Sequence, residues 1–283
     1  DPMDYPAEIR GVVKDYAATE TTKTVSSIWT EGDAIGVTTA AGISKISYIM
    51  TDDRNVKYAY NAEKDVFQVV SKEGEDHTIY FKGPYTMSMT AYAPYTGERG
   101  TLAGVIQAST TSEKQVGTAR ATIDFLYAEG GGSQTNPRVE FQFFHKMSQL
   151  VLAFKAGGGL ELDDISYTLK NIILDGSFDT SAGSVASGKT TGNINMSLAK
   201  GKEMNSSVIV FPQKLASTLL LELAMGGKTY AQPIGNGIDL ISGNTYIFDV
   251  TIAPQSMTVS PAKIEDWIWG ENSDHYVIAG ESE

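Results

Sequence analysis

Apolar and polar residues alternate with period two along most of this chain, the pattern of strands with one buried and one wet face. Met87, Met89 and Ala91 alternate with Ser88, Thr90 and Tyr92. Val139, Phe141 and Phe143 alternate with Glu140 and Gln142, and the run continues to Leu150, Leu152 and Phe154. Tyr246, Phe248, Val250 and Ile252 alternate with Ile247, Asp249 and Thr251. Turn residues separate these runs. Gly226-Gly227 between Leu219–Met225 and Thr229–Ile234 predicts a hairpin, and Ser242-Gly243-Asn244 joins Leu240-Ile241 to the strand containing Tyr246. Gly130-Gly131-Gly132 and Gly157-Gly158-Gly159 read as connections, and neither has the spacing of a phosphate or dinucleotide loop. Helical periodicity is weak, and Ser109–Thr118 is the one stretch expected to form a short helix. Short strands at intervals of roughly 8–12 residues predict an all-β protein built from sandwiches.

A chain of 283 residues is long enough for two domains. Glu129–Arg138, with its glycines, Asn136 and Pro137, is the expected boundary, giving domains 1–136 and 137–283. There is no internal repeat. A net charge of −12, from 34 acidic and 22 basic residues, repels phosphate backbones and anionic headgroups, so nucleic acid and simple membrane adsorption are disfavoured. No apolar run approaches the roughly 18–20 residues of a membrane helix; Ser207–Phe211 and Leu219–Leu223 have strand length. The absence of cysteine excludes disulfides, thiolate metal sites and a Cys nucleophile, and leaves the compartment open. Asp1-Pro2 reads as a processed start with an export signal removed, although a trimmed cytosolic chain would begin the same way.

The histidines, His77, His145 and His275, share no ligand spacing, so neither a metal site nor a cofactor is expected. His145 lies in an apolar run and reads as a hydrogen-bonded structural residue. Asp52-Asp53 and Asp163-Asp164 lack the pattern of a calcium loop and read as solvated turns. No Gly-x-Ser-x-Gly elbow is present, and no catalytic set is visible. Tyr58, Tyr60, Tyr92 and Tyr95 are candidate ligand-facing rings for a glycan, against the competing reading that they pack in a core.

One series of motifs runs through nearly the full length. Trp29-x-Glu31-Gly32-Asp33-x-Ile35-Gly36-Val37 follows a Thr/Ser-rich stretch. Ala91-Tyr92-Ala93-Pro94, Asp124-Phe125-Leu126-Tyr127-Ala128 and Phe144-His145-Lys146-Met147 come next. Ile194-x-Met196, Val210-Phe211-Pro212-Gln213, Gly243-x-x-Tyr246-x-Phe248-x-Val250 and Ile264-x-Asp266-Trp267 complete it. In this order and spacing they resemble the fimbrillin and Mfa-like proteins of anaerobic Gram-negative bacteria.

The resemblance implies two tandem transthyretin-like, Greek-key β-sandwich domains. It also implies export as a lipoprotein, lipidated on a Cys just before Asp1, and display at the outer membrane in a fimbrium. The expected function is a non-enzymatic pilus subunit or surface adhesin, whose partners are other pilus subunits joined by strand addition and a surface receptor or glycan. In fimbrillins that polymerise, cleavage after Arg or Lys frees an N-terminal strand, and Arg10 and Lys23 are the accessible candidates here. The segment from Ile9 to about Val25 would be that strand, with Ile9, Val12, Val13 and Tyr16 partly facing a core. The alternatives are a glycan-binding surface lipoprotein and, more remotely, a hydrolase.

Overall fold

The computed structural model describes residues 5–13, 29–39, 53–81 and 85–267. These described residues are nearly all β, with 55% strand and 4% helix. The first strands are β1 (Tyr5–Pro6), β2 (Glu8–Val13), β3 (Ala34–Thr39), β4 (Val56–Asn61), β5 (Val66–Val69), β6 (Tyr80–Phe81) and β7 (Met87–Ala93). β8 (Val105–Ser109) leads into two 3-10 turns, Ser112–Lys114 and Gly117–Thr122, followed by β9 (Leu126–Gly132) and β10 (Arg138–His145). Next come β11 (Ser148–Ala156), β12 (Ile165–Ile173), β13 (Asp175–Asp179), β14 (Ser184–Ser187), β15 (Thr191–Leu198) and β16 (Asn205–Val210). The last are β17 (Leu220–Met225), β18 (Lys228–Pro233), β19 (Asn244–Ala253), β20 (Ser256–Val259) and β21 (Lys263–Asp266). The helix expected at Ser109–Thr118 is therefore only 3-10 turns: Gly117, at φ +57°, interrupts any regular helix there.

The chain forms two compact units, and both are discontinuous. One comprises Asp1–Ile106, Asp124–Lys146 and Phe178–Ser184; the other comprises Gln107–Ile123, Met147–Ser177 and Val185–Glu283. Glu129–Arg138 is not a linker. It turns the β9–β10 hairpin, with Ser133 bridged to Asn136, and β10 beyond it pairs in parallel with β2. Residues 137–146 thus fold with the first unit, because their backbone partners lie at the start of the chain.

In the first unit one sheet closes on itself in the order β10-β2-β5-β4-β3-β7-β9. Closure rests on short seams: β2 meets β5 at Ile9 and Phe67, and β10 meets β9 at two residue pairs. Ile9, Ile35, Val37, Val56, Phe67, Phe81, Val139, Phe141 and Phe143 form the core. The Gly130-Gly131-Gly132 triplet is strand, not connection. An added Cβ would lie 2.9 Å from the Phe141 ring at Gly130, 2.8 Å from the Met87 carbonyl at Gly131 and 2.5 Å from the Phe81 ring at Gly132. Glycine is used there so that bulky neighbours can approach the backbone.

The second unit is a two-sheet sandwich. One sheet runs β16-β11-β19-β20, with β21 also on β19; the other runs β15-β12-β17-β18. Leu150, Leu152, Tyr246 and Phe248 of the first sheet share a core with Tyr167, Leu169, Ile194, Leu221 and Leu223 of the second. The β17–β18 hairpin turns at Gly226-Gly227, whose φ values of +58° and +75° suit a tight two-residue turn. Gly158 and Gly159, at φ +61° and +75°, make the connection after β11 as expected. At the end of β16, Gln213 imitates a peptide group: its amide accepts from Ile173 N and donates to the carbonyls of Ile173 and Phe211.

Each core holds a tyrosine that resists ionisation. Burial is the main cause for Tyr92 in the first unit and Tyr167 in the second, and each is pushed up to about 12. The folded form therefore holds these protons more tightly than the unfolded chain, whose tyrosines titrate near 10. Stability from this source is complete below pH ~10 and is lost as pH rises toward 12. Phenolate absorbance followed with circular dichroism is expected to show these two groups ionising late and together with unfolding. Their full ionisation near pH 10 in folded protein would contradict this burial.

Candidate functional site

Strand β2 and the lane it fills carry the functional reading. Its sequence, Glu8-Ile9-Arg10-Gly11-Val12-Val13, alternates faces: Ile9 is 1% exposed, whereas Val12 is 48% exposed. Six residue pairs join β2 to β10, from Arg138 with Glu8 to Phe143 with Val13. On the other side the pairing with β5 is limited to Ile9 and Phe67. Two backbone bonds fix its start, from Ala7 N to Ile79 O and from Glu8 N to Pro137 O.

Trp29 clamps the strand from the core side. Its indole N–H donates to the Gly11 carbonyl at 3.0 Å, and its ring stands edge-on to Phe67 and Phe143 at 5.1 and 5.2 Å. Gly11 admits this arrangement, since a Cβ there would lie 2.8 Å from the Phe143 ring. The residues after Trp29 make the turn that positions it. Asp33 Oδ2 accepts from Thr30 N, Glu31 Oε2 accepts from Ala62 N, and Gly32 N donates to Tyr60 O at a φ of +88°. Gly36 leaves room for Tyr92 and Asn55, whose atoms lie 2.4 and 2.6 Å from its would-be Cβ. The Tyr92 hydroxyl donates to Asn55 Oδ1 at 2.7 Å, and the Asn55 amide donates to Thr96 O and Glu98 O.

Near the seam between β10 and β9, the His145 ring binds Asp124 through Nδ1 and Oδ1 at 2.7 Å, with both side chains buried. His145 is thus the hydrogen-bonded structural residue its apolar setting implies. His77 bonds Glu75 through Nε2 and the Val70 carbonyl through Nδ1; His275 lies outside the described residues. Among the described residues no three potential metal ligands cluster, and no helix is long and apolar enough to cross a membrane.

The structure corrects two sequence-based site assignments. Tyr58, Tyr60 and Tyr92 are 2%, 5% and 4% exposed, so they cannot share an open ligand face; only Tyr95 is partly exposed, and Lys57 lies over its ring. The parity of Tyr58 and Tyr60 with buried Val56 on β4 is the signal that places them inside. Arg10 is not on an accessible loop either. It sits within β2 opposite Glu140, half-buried, because the ladder to β10 holds its backbone. Lys23 and Tyr16 lie outside the described residues. Trp29 and Phe143 had no sequence signal tying them to Gly11 of β2, since the meeting of Phe143 with Gly11 depends on β2 pairing with β10.

Residues 18–267, most of the chain, match the model of the fimbrillin-like family. The chain belongs to the fimbrillin-like family. This family is structural and fimbrial, not a family of enzymes. The fimbrillin-like chain is 32% identical to a cell adhesion protein, so described, from Bacteroides ovatus; their structures agree with a TM-score of 0.83 over 95% of this chain and 100% of that one. It is 27% identical over 265 residues to a protein of Bacteroides uniformis named as a fimbrium subunit, Fim1C, covering 88% of this chain and 82% of that protein. A second structure, from Bacteroides uniformis, shares the fold at 22% identity, with a TM-score of 0.69 over 93% of this chain and 98% of that one.

Proposed function

We propose that this fimbrillin-like chain is a non-enzymatic structural subunit of a fimbrium, displayed at the outer membrane and joined to other subunits by strand addition. We also assign the second unit, the two-sheet sandwich, as a transthyretin-like domain; the first, whose sheet closes on itself, departs from the two-sheet plan. The naming of relatives as a fimbrium subunit and a cell adhesion protein supports this reading. The observation that carries it is the seating of β2. This strand comes from the start of the chain, and most of its ladder is on one side.

Loss of β2 would leave a lane between β10 and β5, floored by Phe67, Phe143 and Trp29. Apolar surface so uncovered costs about 25 cal/mol per Å². A strand from a neighbouring subunit would restore both the backbone pairs and the buried alternate side chains. A head-to-tail contact of this kind does not close on itself, so repetition makes a filament. Cleavage after Arg10 requires β2 to open first; Lys23 is the other processing site in the proposal.

A chain shortened to remove residues through Val13 is expected to associate into oligomers or filaments, seen by size-exclusion chromatography and electron microscopy. A synthetic peptide carrying Glu8–Val13 in excess should keep it monomeric. A shortened chain that stays folded and monomeric without the peptide would rule out β2 as the polymerisation plug.

A further inference from the structure

β16 ends its sheet, with β11 on one side and no strand on the other among the described residues. Its sequence, Asn205-Ser206-Ser207-Val208-Ile209-Val210, has no charge, no proline and no glycine, and closes on three β-branched residues. Such a strand left open at an edge is a template for pairing with another chain. It is not open. The two-turn segment before β9 lies along it and supplies side chains in place of a strand.

Gln115, 1% exposed, does most of this. Its Oε1 accepts from Ile209 N at 2.8 Å, and its Nε2 donates to Ile209 O and Thr110 O, both at 2.9 Å. Arg120, 6% exposed, donates through Nη1 to Ser207 O at 2.9 Å and through Nη2 to Ser207 Oγ at 2.8 Å. Ser207 and Ile209 have the same parity, so both turn their backbone groups away from β11. The amide of Gln115 matches one peptide of a missing strand, donor for acceptor, as Gln213 does beside Ile173.

We propose that Thr110–Ile123 is a lock on the β16 edge, and that β16, once unlocked, pairs antiparallel with β16 of a second copy. Two copies of one uncharged strand are self-complementary about a two-fold axis, and such a contact closes as a dimer. The lock therefore keeps the second unit out of closed, unproductive pairing. The argument concerns the second unit alone and does not depend on the role of β2.

The test uses the full chain with Gln115→Ala and Arg120→Ala together, compared with the unmodified protein by light scattering across a concentration series. The expected result is a concentration-dependent doubling of mass with an unchanged circular dichroism spectrum. Adding Ser207→Pro should restore the mass of the unmodified protein, because it removes only an outward N–H and blocks the edge. If the double variant does not fold, Gln115→Met keeps the volume, removes both bonds to Ile209 and is read the same way. A folded variant with unchanged mass, or association that survives Ser207→Pro, would overturn the proposal.

Discussion

Replacing Phe143 by alanine is expected to lower the stability of the first unit by about 4 kcal/mol, within the range for a buried aromatic cut to a methyl. Phe143 is fully buried, stands edge-on to Trp29 and lies against the backbone of Gly11. Its loss removes hydrophobic burial, leaves a cavity and frees the indole that bonds the Gly11 carbonyl. The ring pair alone accounts for about 0.5–1.5 kcal/mol. The neighbouring Phe144 is the control: at 43% exposed, its replacement by alanine should change stability by no more than about 0.5 kcal/mol. Urea unfolding measures both, and hydrogen exchange should show the β2 amides opening before the rest of the sheet. A loss below about 1.5 kcal/mol for Phe143→Ala would mean that this ring does not pin the strand.

The second large effect is at Asp124. Replacing it with alanine takes the carboxylate acceptor at 2.7 Å from a buried imidazole, a change that costs about 3 kcal/mol when a buried polar pair loses one partner. Asp124→Asn retains an oxygen at that position and should lose less than half as much. His145 pairs with Leu126 in the two-residue seam between β10 and β9, so the damage should appear first as exchange of amides in β9 and the end of β10. Equal losses in the alanine and asparagine variants would point to packing rather than the hydrogen bond.

Strand identity was legible wherever alternation met unambiguous turn chemistry. The hairpin at Gly226-Gly227 and the runs that became β7, β10 and β19 are of this kind, because side-chain parity and glycine φ are local properties. Non-local needs were hidden. Glycines 130–132 look like a turn until Phe81, Phe141 and the Met87 backbone are seen beside them. The division near residue 136 failed for the same reason: the partner of β10 is β2, at the far end of the first unit. The lane of β2 was half visible. Ile9 reads as core-facing, but Val12 is exposed, and nothing local links Trp29 to Gly11. Gln115 and Arg120 are polar residues on a turn-rich segment, so their burial against β16 has no local signature at all.

The parallel pairing of β2 with β10 also sets an order in time. During synthesis Glu8–Val13 leaves the ribosome early, yet Ile9 must wait for Val139 before its ladder can form. Contacts so distant along the chain are slow to close and enter late in folding. Until then β2 lacks the longer of its two ladders, and a strand edge left unpaired is prone to mispairing with other chains. The parallel ladder therefore makes β2, among the earliest strands of the first unit to be synthesised, the one whose main partner is made last.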